Sequence, residues 1–248
     1  MKRLVIVAPT YNESANITVF IEGIFKEIQK IKDLDCFLLI SDSHSSDGTT
    51  DLIEKIAKKN KKLVYLDVKK RGLGLGLKKG LDYAADKLKA DYLITIEADL
   101  SNDVSKLPEL VRLLKKSDVV IGSRYAKGGG IDNWSWWRKK LSLFANLVLK
   151  TLAWSSLSEY TNLYRGFRKS VWQEIGEKLD KYGGWLFVPA FVFELLETKF
   201  SIAEMPYTYL DRFGGRSKMN TISYTKNLLL FAVKYRLKRI VKFFGLKR

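Results

Sequence analysis

The sequence from Tyr92 to Ser101 reads YLITIEADLS and joins a strand to a pair of acids. Its first five residues are aromatic, aliphatic or β-branched and uncharged, which is typical of a strand buried in a sheet. Glu97 and Asp99 follow, separated by one small residue. Side chains two positions apart in an extended backbone point to the same side. We therefore predict that the two carboxylates share one hard cation, Mg²⁺ or Mn²⁺, although a solvated acidic turn is the alternative.

Strands and helices alternate on both sides of this stretch. The pattern predicts strands at residues 4–8, 36–41, 63–68, 92–96 and 118–122, with helices ending near residues 32, 60, 88 and 116. This alternation indicates an α/β fold with a mostly parallel sheet, whose ligands bind beyond the carboxyl ends of the strands. The side chains that fall just beyond strand ends are Tyr11, Glu13, Asp42, Glu97, Asp99 and Arg124.

The alternation stops after Gly122. Residues 134–154 and 187–196 have helical patterns, and residues 160–168 and 202–210 are predicted as strands, for which we consider an antiparallel addition to the sheet. Earlier in the chain, a glycine-rich run opens the helix at residue 72. It does not satisfy the dinucleotide-binding fingerprint, because Leu77 occupies the place of the third glycine. Close backbone packing, or a contact with a nucleotide, is the favoured interpretation.

The composition restricts the partners of the chain. Among its 248 residues, 44 Lys and Arg against 27 Asp and Glu give a formal net charge of +17, which favours anionic partners. A nucleic-acid-binding module is one candidate. It is disfavoured because the conspicuous strand-end residues are acids, which repel phosphates unless a metal intervenes. Cys36 is the single cysteine, so no internal disulfide forms and a reducing compartment is expected.

Two segments suit the surface of a membrane. No signal peptide is expected, and no apolar run reaches the ~20 residues of a spanning helix. Residues 134–154 begin with three tryptophans beside three cations, and residues 221–248 contain eight basic residues, no acidic residue and apolar residues at helical spacing. For residues 134–154 the alternative is a core helix with a basic cap. For residues 221–248 it is a helix packed on the domain with a solvated basic face. We expect a peripheral protein on the cytoplasmic face of an anionic membrane.

An ordered set of short motifs resembles family-2 glycosyltransferases of the dolichyl- (polyprenyl-) phosphate mannosyltransferase type. The motifs are PTYNE at 9–13, SDGT at 46–49, GLG at 72–74, EADLS at 97–101 and GSRY at 122–125 with GGG at 128–130, then Trp134 with Arg138, Ser142 with Asn146, Thr161 with Arg165, and Arg212 with Gly215, Ser217 and Lys218. The resemblance implies a GT-A fold in residues 1–220, and the amphipathic helix at 221–248 lies outside the shared pattern. It also implies metal-dependent, inverting transfer of a hexose, foremost mannose from GDP-mannose, to a polyprenyl (dolichyl) phosphate.

The resemblance further implies roles for individual residues. The nucleotide-sugar site would comprise Pro9, Tyr11, Glu13, Ile40, Asp42, Glu97, Ala98, Asp99, Ser101, Arg124, Arg212 and Lys218. The metal ligands would be Glu97, Asp99 and Ser101, the catalytic residues Asp99, Arg124 and Arg212, and the candidates for binding the acceptor phosphate Arg124, Arg138 and Ser142.

Three positions depart from the family pattern. Ser43 replaces the second of two adjacent aspartates, Glu97 replaces the first acid of Asp-x-Asp, and Asn102-Asp103 replaces His-Pro. The departures leave open another sugar, such as glucose, another lipid or glycan acceptor, or a weakly active relative that binds sugar nucleotides. A phosphate monoester has a second pKa of about 6, so a lipid phosphate requires no general base. The single histidine, His44, is accordingly interpreted as a solvated loop residue.

Overall fold

The computed structural model describes residues 1–69, 72–211 and 221–245. Its strands are β1 (Lys2–Thr10), β2 (Leu34–Asp42), β3 (Leu63–Asp67), β4 (Tyr92–Thr95), β5 (Val119–Ser123), β6 (Gly130–Ile131), β7 (Arg165–Arg168), β8 (Ile202–Pro206) and β9 (Thr208–Tyr209). Its α-helices are α1 (Ile17–Ile28), α2 (Thr49–Ala57), α3 (Leu73–Asp86), α4 (Leu107–Leu114), α5 (Trp136–Ala153), α6 (Lys169–Ile175), α7 (Phe187–Leu195) and α8 (Thr221–Phe243). Single 3₁₀ turns lie at Val104–Lys106, Glu177–Leu179 and Gly184–Leu186.

A seven-stranded sheet in the order β3-β2-β1-β4-β7-β5-β8 forms the centre of the fold. Strands β1 to β4 are parallel to one another, as the alternation of strands and helices predicts. Strand β7 enters antiparallel between β4 and β5, so the antiparallel addition is confirmed for this strand. It is wrong for β8, which pairs parallel with β5 at the edge of the sheet. A separate two-stranded sheet pairs β6 with β9.

The predicted strand at residues 160–168 is shorter than expected. Only its last four residues pair within the sheet. Before them, the backbone N–H of Tyr160 donates to Asn146 Oδ1 at 2.9 Å, and that of Tyr164 donates to Asn162 Oδ1 at 3.0 Å. Side-chain acceptors therefore bind N–H groups that a strand would direct to its neighbour.

Both faces of the sheet are covered, as the uninterrupted apolar strands predict. Along β1, Leu4, Ile6 and Ala8 belong to a buried cluster with residues of α1 and α4. Val5 and Val7 alternate with them and belong to a second cluster, with residues of α3, α5, α6, α7 and α8. The strand ends thus reach an edge of the sheet that lies between two packed layers of helices.

The glycines of α3 bring this helix close to the sheet. A Cβ atom on Gly80 would lie 2.7 Å from Val7 Cγ1 and 3.1 Å from Ser41 Cβ. One on Gly74 would lie 3.0 Å from both the carbonyl oxygen of Gly184 and Cβ of Phe187. The interpretation of the glycine run as a device for close backbone packing is therefore confirmed.

The helix α8 packs on the domain through one face. Leu228 and Ala232 are buried in the cluster that contains α7. The Tyr235 hydroxyl donates to the carbonyl oxygen of Phe193 at 3.1 Å, and Arg239 Nη1 donates to that of Ala153 at 2.7 Å. This part of α8 completes the core, as in the alternative of a packed helix. In the described part of the chain, no helix has the length and apolarity needed to cross a membrane.

Substituting Gly80 by alanine tests the close approach of α3. Alanine is favoured over glycine inside a helix by up to about 1 kcal/mol. The added methyl group overlaps Val7 in a packed core, however, and such overpacking costs about 1–3 kcal/mol. We expect Gly80→Ala to lower the free energy of unfolding in urea.

The matched control is Gly23→Ala in α1, where the added Cβ would meet Val104 Cγ2 at an ordinary 3.4 Å. It should be neutral or stabilising. Equal stabilisation by both substitutions would contradict the close packing of α3 on β1.

Candidate active site

A cavity of about 240 Å³ lies at the carboxyl ends of β1, β2 and β4. Parallel strands end at one edge of a sheet, which brings together side chains that are far apart in the sequence. The predicted nucleotide-sugar residues on its wall are Pro9, Tyr11, Glu13, Glu97, Ala98 and Asp99. The wall also contains Thr10, Ser43, Gly72, Leu73 and Trp185, none of which is among the predicted site residues.

Two loops beside the cavity are joined by hydrogen bonds. Asn12 donates its N–H to Ser45 Oγ at 2.8 Å, and its Oδ1 accepts the N–H of Ser46 at 3.0 Å. Thr49 Oγ1 accepts the N–H of Glu13 at 2.9 Å. Asn12 has a φ of +53°, a left-handed conformation that asparagine tolerates. The motifs at 9–13 and 46–49 therefore form one structural unit.

Two predicted nucleotide contacts lie elsewhere. The Ile40 side chain is fully buried in the cluster with α1, because alternation along β2 points it away from the cavity. Asp42 is also fully buried, and its carboxylate accepts bonds from Ser45 N at 2.8 Å, Ser45 Oγ at 2.6 Å and Thr50 Oγ1 at 3.2 Å. The Ile40 side chain thus belongs to the core and Asp42 shapes the loop, and a nucleotide contact of either residue stays a prediction.

The acid pair reaches the cavity by a bend and not by continuing a strand. Strand β4 ends at Thr95, and Leu100 has a φ of +64°. Asn102 Oδ1 accepts the N–H of Glu97 at 3.0 Å, which closes the bend. The extended backbone on which the prediction rested is therefore wrong, although Glu97 and Asp99 do line one cavity.

Ser101 supports Asp99 and is not placed as a ligand. Its hydroxyl donates to Asp99 Oδ1 at 2.5 Å, and its N–H donates to the same oxygen at 3.1 Å. Ser101 is fully buried, whereas Asp99 retains contact with the cavity. Ser101 therefore orients the Asp99 carboxylate, and a direct metal bond of Ser101 stays a prediction.

The acids fit a metal whose coordination a substrate completes. Among the described residues, no group of three or more His, Cys, Asp and Glu side chains is arranged to hold a metal ion. Mg²⁺ is commonly bound by one or two carboxylates together with substrate phosphates and water. Glu97 and Asp99 can supply that carboxylate pair.

Arg124 forms a buried ion pair. Its Nε and Nη2 donate to the two carboxylate oxygens of Glu159 at 2.7 and 2.8 Å, and Nη2 also donates to Thr161 Oγ1 at 2.8 Å. Burial opposes ionisation of both groups, but their mutual charge and hydrogen bonds prevail, so the pKa of Glu159 is lowered and that of Arg124 is raised. Arg124 is thus not a free surface cation, and its contact with a phosphate stays a prediction.

The candidates for binding the acceptor phosphate gather around two aromatic rings. The guanidinium of Arg138 lies 3.7 Å from the centre of the Trp134 ring, and that of Arg124 lies 5.9 Å from it. The Tyr125 hydroxyl donates to Ser142 Oγ at 2.7 Å, and Arg124 lies 5.2 Å from the Tyr125 ring. The structure therefore brings together the three predicted residues, which come from the end of β5 and from α5.

Tyr209 lies next to the cations and on a strand that is bonded to the loop of the acids. Its ring lies 5.5 Å from the guanidinium of Arg124. The N–H of the next residue, Leu210, donates to the carbonyl oxygen of Ser101 at 2.9 Å, which ties the strand of Tyr209 to the loop of the acid pair. Burial, together with the charges of Glu97 and Asp99, raises the pKa of Tyr209. The sequence carries no local signal for this role, because Tyr209 follows the acids by more than a hundred positions.

The remaining predicted residues are not part of the described cavity wall. Arg212 and Lys218 lie outside the described residues, so their assigned contacts stay predictions. His44 is exposed, as expected, with Nδ1 3.2 Å from Asp67 Oδ1. Asp103 caps the 3₁₀ turn, since its Oδ1 accepts the N–H of Ser105 at 3.0 Å.

The sheet order and the acid pair at the strand ends define a glycosyltransferase of the GT-A class. The chain belongs to glycosyltransferase family 2, because the pattern described as Glycosyl transferase family 2 matches residues 5–176. The expected fold and family are confirmed.

Two proteins of assigned activity are similar in sequence. The chain is 30% identical over 226 residues to polyprenol monophosphomannose synthase of Mycolicibacterium smegmatis, an alignment that covers 88% of this chain and 82% of that protein. It is 29% identical over 220 residues to dolichol-phosphate mannosyltransferase of Pyrococcus furiosus, with 86% of this chain and 58% of that protein covered. The chain thus spans somewhat more than half of the Pyrococcus protein.

Solved structures share the fold at lower identity. Glucosyl-3-phosphoglycerate synthase of Mycobacterium tuberculosis, crystallised with Mn²⁺, UDP-glucose and phosphoglyceric acid, superposes with a TM-score of 0.67 at 16% identity, covering 95% of this chain and 79% of that one. The same enzyme with Mg²⁺ and UDP gives a TM-score of 0.66 at 16% identity, with the same coverage. At this identity the similarity establishes the fold.

The buried ion pair predicts a large effect of Glu159→Gln on stability. Removing one charge strands the other in the interior, which costs about 3 kcal/mol or more. Because the fold lowers the pKa of Glu159, its stabilisation is present above the unfolded pKa and is lost as pH falls through the folded pKa. Urea unfolding from pH 7 to pH 3 should show both a lower stability and a shallower acid dependence in Glu159→Gln.

The exposed pair of Lys178 with Glu174, at 2.6 Å, supplies the control. Glu174→Gln should cost less than about 1 kcal/mol. Similar losses in the two variants would show that the Arg124–Glu159 pair is not a special support of the fold.

Proposed function

We propose that this protein transfers mannose from GDP-mannose to a polyprenyl phosphate, with inversion and with the help of a divalent metal. The observation that carries the proposal is that the loop of the acid pair is bonded to the strand of Tyr209, through Leu210 N–H and the Ser101 carbonyl oxygen at 2.9 Å, while the Tyr209 ring lies 5.5 Å from Arg124. One half of this arrangement suits a nucleoside diphosphate and its metal, and the other half suits the phosphate of an acceptor. The names of the two similar proteins support the mannosyl group and the lipid acceptor.

In this proposal, Glu97 and Asp99 hold the metal ion at the diphosphate. A bound Mg²⁺ or Mn²⁺ supplies charge stabilisation to the departing nucleoside diphosphate. Ser101 orients the Asp99 carboxylate, and Asn102 fixes the backbone at Glu97. Asn102 is itself held, since its Nδ2 donates to the Tyr207 hydroxyl at 3.1 Å. The protein thus positions both ligands before the donor binds.

The acceptor needs orientation more than activation. A lipid phosphate is ionised near neutral pH, so its oxygen can attack the anomeric carbon while the bond to the diphosphate breaks. Within the described residues, the cavity wall has no histidine, cysteine or lysine, and its acids are Glu13, Glu97 and Asp99. Arg138 and Ser142, supported by Trp134 and Tyr125, are proposed to bind the phosphate, with Arg124 beside them.

Exposed apolar residues on the adjacent helices α5 and α8 support binding to a membrane. Arg236 stacks on the Trp154 ring at 4.2 Å, and Arg239 binds the end of α5, so the two helices lie side by side. Exposed apolar residues follow helical spacing on each: Trp137, Leu141 and Phe144 on α5, and Leu230, Val233, Leu237, Val241 and the adjoining Phe244 on α8. We place the protein peripherally, on the cytoplasmic face of an anionic membrane.

The position of the acceptor candidates strengthens this placement. Arg138 and Ser142 lie on α5, the helix that also carries the exposed tryptophan and phenylalanine. A polyprenyl chain is confined to the bilayer, whereas its phosphate lies at the surface. A helix lying in that surface would present both residues to the phosphate without drawing the lipid into water.

The donor and the acceptor can be tested together with labelled sugar nucleotides. GDP-mannose and UDP-glucose are each incubated with a polyprenyl phosphate and Mn²⁺, and the lipid product is extracted. We expect labelled lipid from GDP-mannose. Labelled lipid from UDP-glucose alone would reassign the sugar, and binding of donor without any lipid product would favour the weakly active relative.

The metal site predicts a loss of at least about a hundredfold in turnover for Asp99→Asn, because the variant removes a charged ligand while keeping the shape. Glu97→Asp should remain active, since it retains the carboxylate. Initial rates are measured against Mn²⁺ concentration, with the exposed acid Asp51→Asn as the control. Turnover of Asp99→Asn equal to that of the wild type at limiting Mn²⁺ would exclude the assignment.

The membrane surface predicts weaker binding to vesicles for the double variant Trp137→Ser/Phe144→Ser. Burial of one large apolar side chain is worth about 1.5–3 kcal/mol, so losing two should weaken binding more than tenfold. Attraction to anionic lipid adds up to about 1 kcal/mol per basic residue near the surface and weakens with salt.

Vesicles with and without anionic lipid are sedimented with the protein at two salt concentrations. Val19→Ser on α1 is the control, because Val19 is also exposed and apolar. Unchanged sedimentation of the α5 variant would refute this surface as the site of membrane binding. Point substitutions are preferred to deletion of α8, because deletion removes the buried Leu228 and Ala232 from the core.

A further inference from the structure

Trp185 is an aromatic residue on the cavity wall that belongs to none of the motifs. It lies in the 3₁₀ turn Gly184–Leu186, directly before α7. Its neighbour Phe187 is buried in the core, whereas Trp185 is half-buried and contributes to the cavity that contains Glu97 and Asp99. A large ring placed there is part of the site and not of the core.

The turn that carries Trp185 is fixed against α3. Gly184 has a φ of +56°, a conformation that favours glycine. Its carbonyl oxygen lies so near Gly74 that a Cβ there would approach it to 3.0 Å. The start of α3 adds Gly72 and Leu73 to the same cavity wall. The turn therefore holds the indole at a defined place beside the start of α3.

The cavity combines apolar and acidic parts. Leu73 and Trp185 contribute apolar surface, and Glu97 and Asp99 contribute carboxylates. A hexose has the matching character, because its C–H groups can pack on an aromatic face while its hydroxyls bind polar groups. Sites for small ligands commonly pair such an apolar wall with a few polar groups that set the orientation.

We propose that Trp185 packs against the hexose of the donor and positions its anomeric carbon for attack. The inference rests on the proposed function, since it assigns a residue to the sugar part of the same donor. Trp185 acts here as a positioning residue. The other aromatic residue of the wall, Tyr11, lies in the loop after β1 and is the natural partner for the nucleotide part.

Comparing a sugar nucleotide with its nucleotide separates the two parts of the donor. Binding of GDP-mannose and of GDP is measured by calorimetry in the presence of Mn²⁺, for the wild type, Trp185→Leu and Trp185→Phe. We expect Trp185→Leu to weaken GDP-mannose binding at least tenfold and GDP binding less than threefold. Trp185→Phe should recover most of the affinity, because it keeps an aromatic face.

A second variant and a control keep the test independent of folding. Gly184→Ala disturbs the left-handed turn and should also weaken GDP-mannose more than GDP. Tyr83→Leu changes a half-buried aromatic residue of α3 away from the cavity wall and should leave both affinities unchanged. Equal losses for GDP and GDP-mannose in Trp185→Leu would assign the indole to the nucleotide and overturn the proposal, as would no loss at all.

Failure of the proposed function gives a different result. A wild-type protein that binds UDP-glucose but not GDP-mannose would overturn the assigned donor. The same comparison would then be made with UDP-glucose and UDP, and a selective loss of UDP-glucose binding in Trp185→Leu would still support the role of Trp185.

Discussion

The cluster of cations and aromatic rings around Arg124 depends on the buried ion pair between Arg124 and Glu159. Two charges in the interior are stable only when their geometry and hydrogen bonds are complete. Here Thr161 completes them, because its N–H and its hydroxyl both donate to Glu159 Oε1 at 3.0 Å and its hydroxyl accepts from Arg124. Glu204 of β8 holds the same loop, because its carboxylate accepts the backbone N–H groups of Ser158 and Glu159 at 2.9 and 3.2 Å. The pair thus joins the end of β5 to the loop before β7 and, through that loop, to the edge strand. Arg124 in turn supports the rings of Trp134 and Tyr209.

The acid pair is held by hydrogen bonds between uncharged side chains and the loop. Its carboxylates reach the cavity through a bend that three side chains close: Ser101 on Asp99, Asn102 on the backbone of Glu97, and Tyr207 on Asn102. Asn102 stands where the family pattern has histidine, and in this chain it is part of that closure. An added methylene at Glu97 is compatible with the bend, because both acids still line the cavity.

The helices α5 and α8 have two distinct sides. Their packed sides bury residues such as Leu149, Ala153, Leu228 and Ala232 and complete the core. Their outer sides expose a row of large apolar residues among basic ones. The packed face of α8 confirms the interpretation of a helix on the core, and membrane binding by its outer face stays a proposal. Helix α5 thus carries buried core residues, the acceptor candidates Arg138 and Ser142, and exposed apolar residues.

Local patterns were sufficient to predict the first five strands, the helices between them and the strand-end positions of the acids. Burial on both faces produces apolar runs, and the parallel sheet brings their ends to one edge. The ordered motifs also indicated the family, which the comparisons confirm. Short-range sequence determines these features because each depends on residues within one βα unit.

The tertiary structure alone decided which of the predicted residues meet the cavity. Ile40, Asp42 and Ser101 are buried, and the reason is their packing and hydrogen bonding, not their place in a motif. Strand β7 lies inside the sheet and β8 lies parallel at its edge, which periodicity does not distinguish. Tyr207, Tyr209 and Trp185 join the site from distant segments; the contact of Asn102 with Tyr207 spans 105 positions. Such contacts follow from the path of the whole chain, so no local pattern contains them.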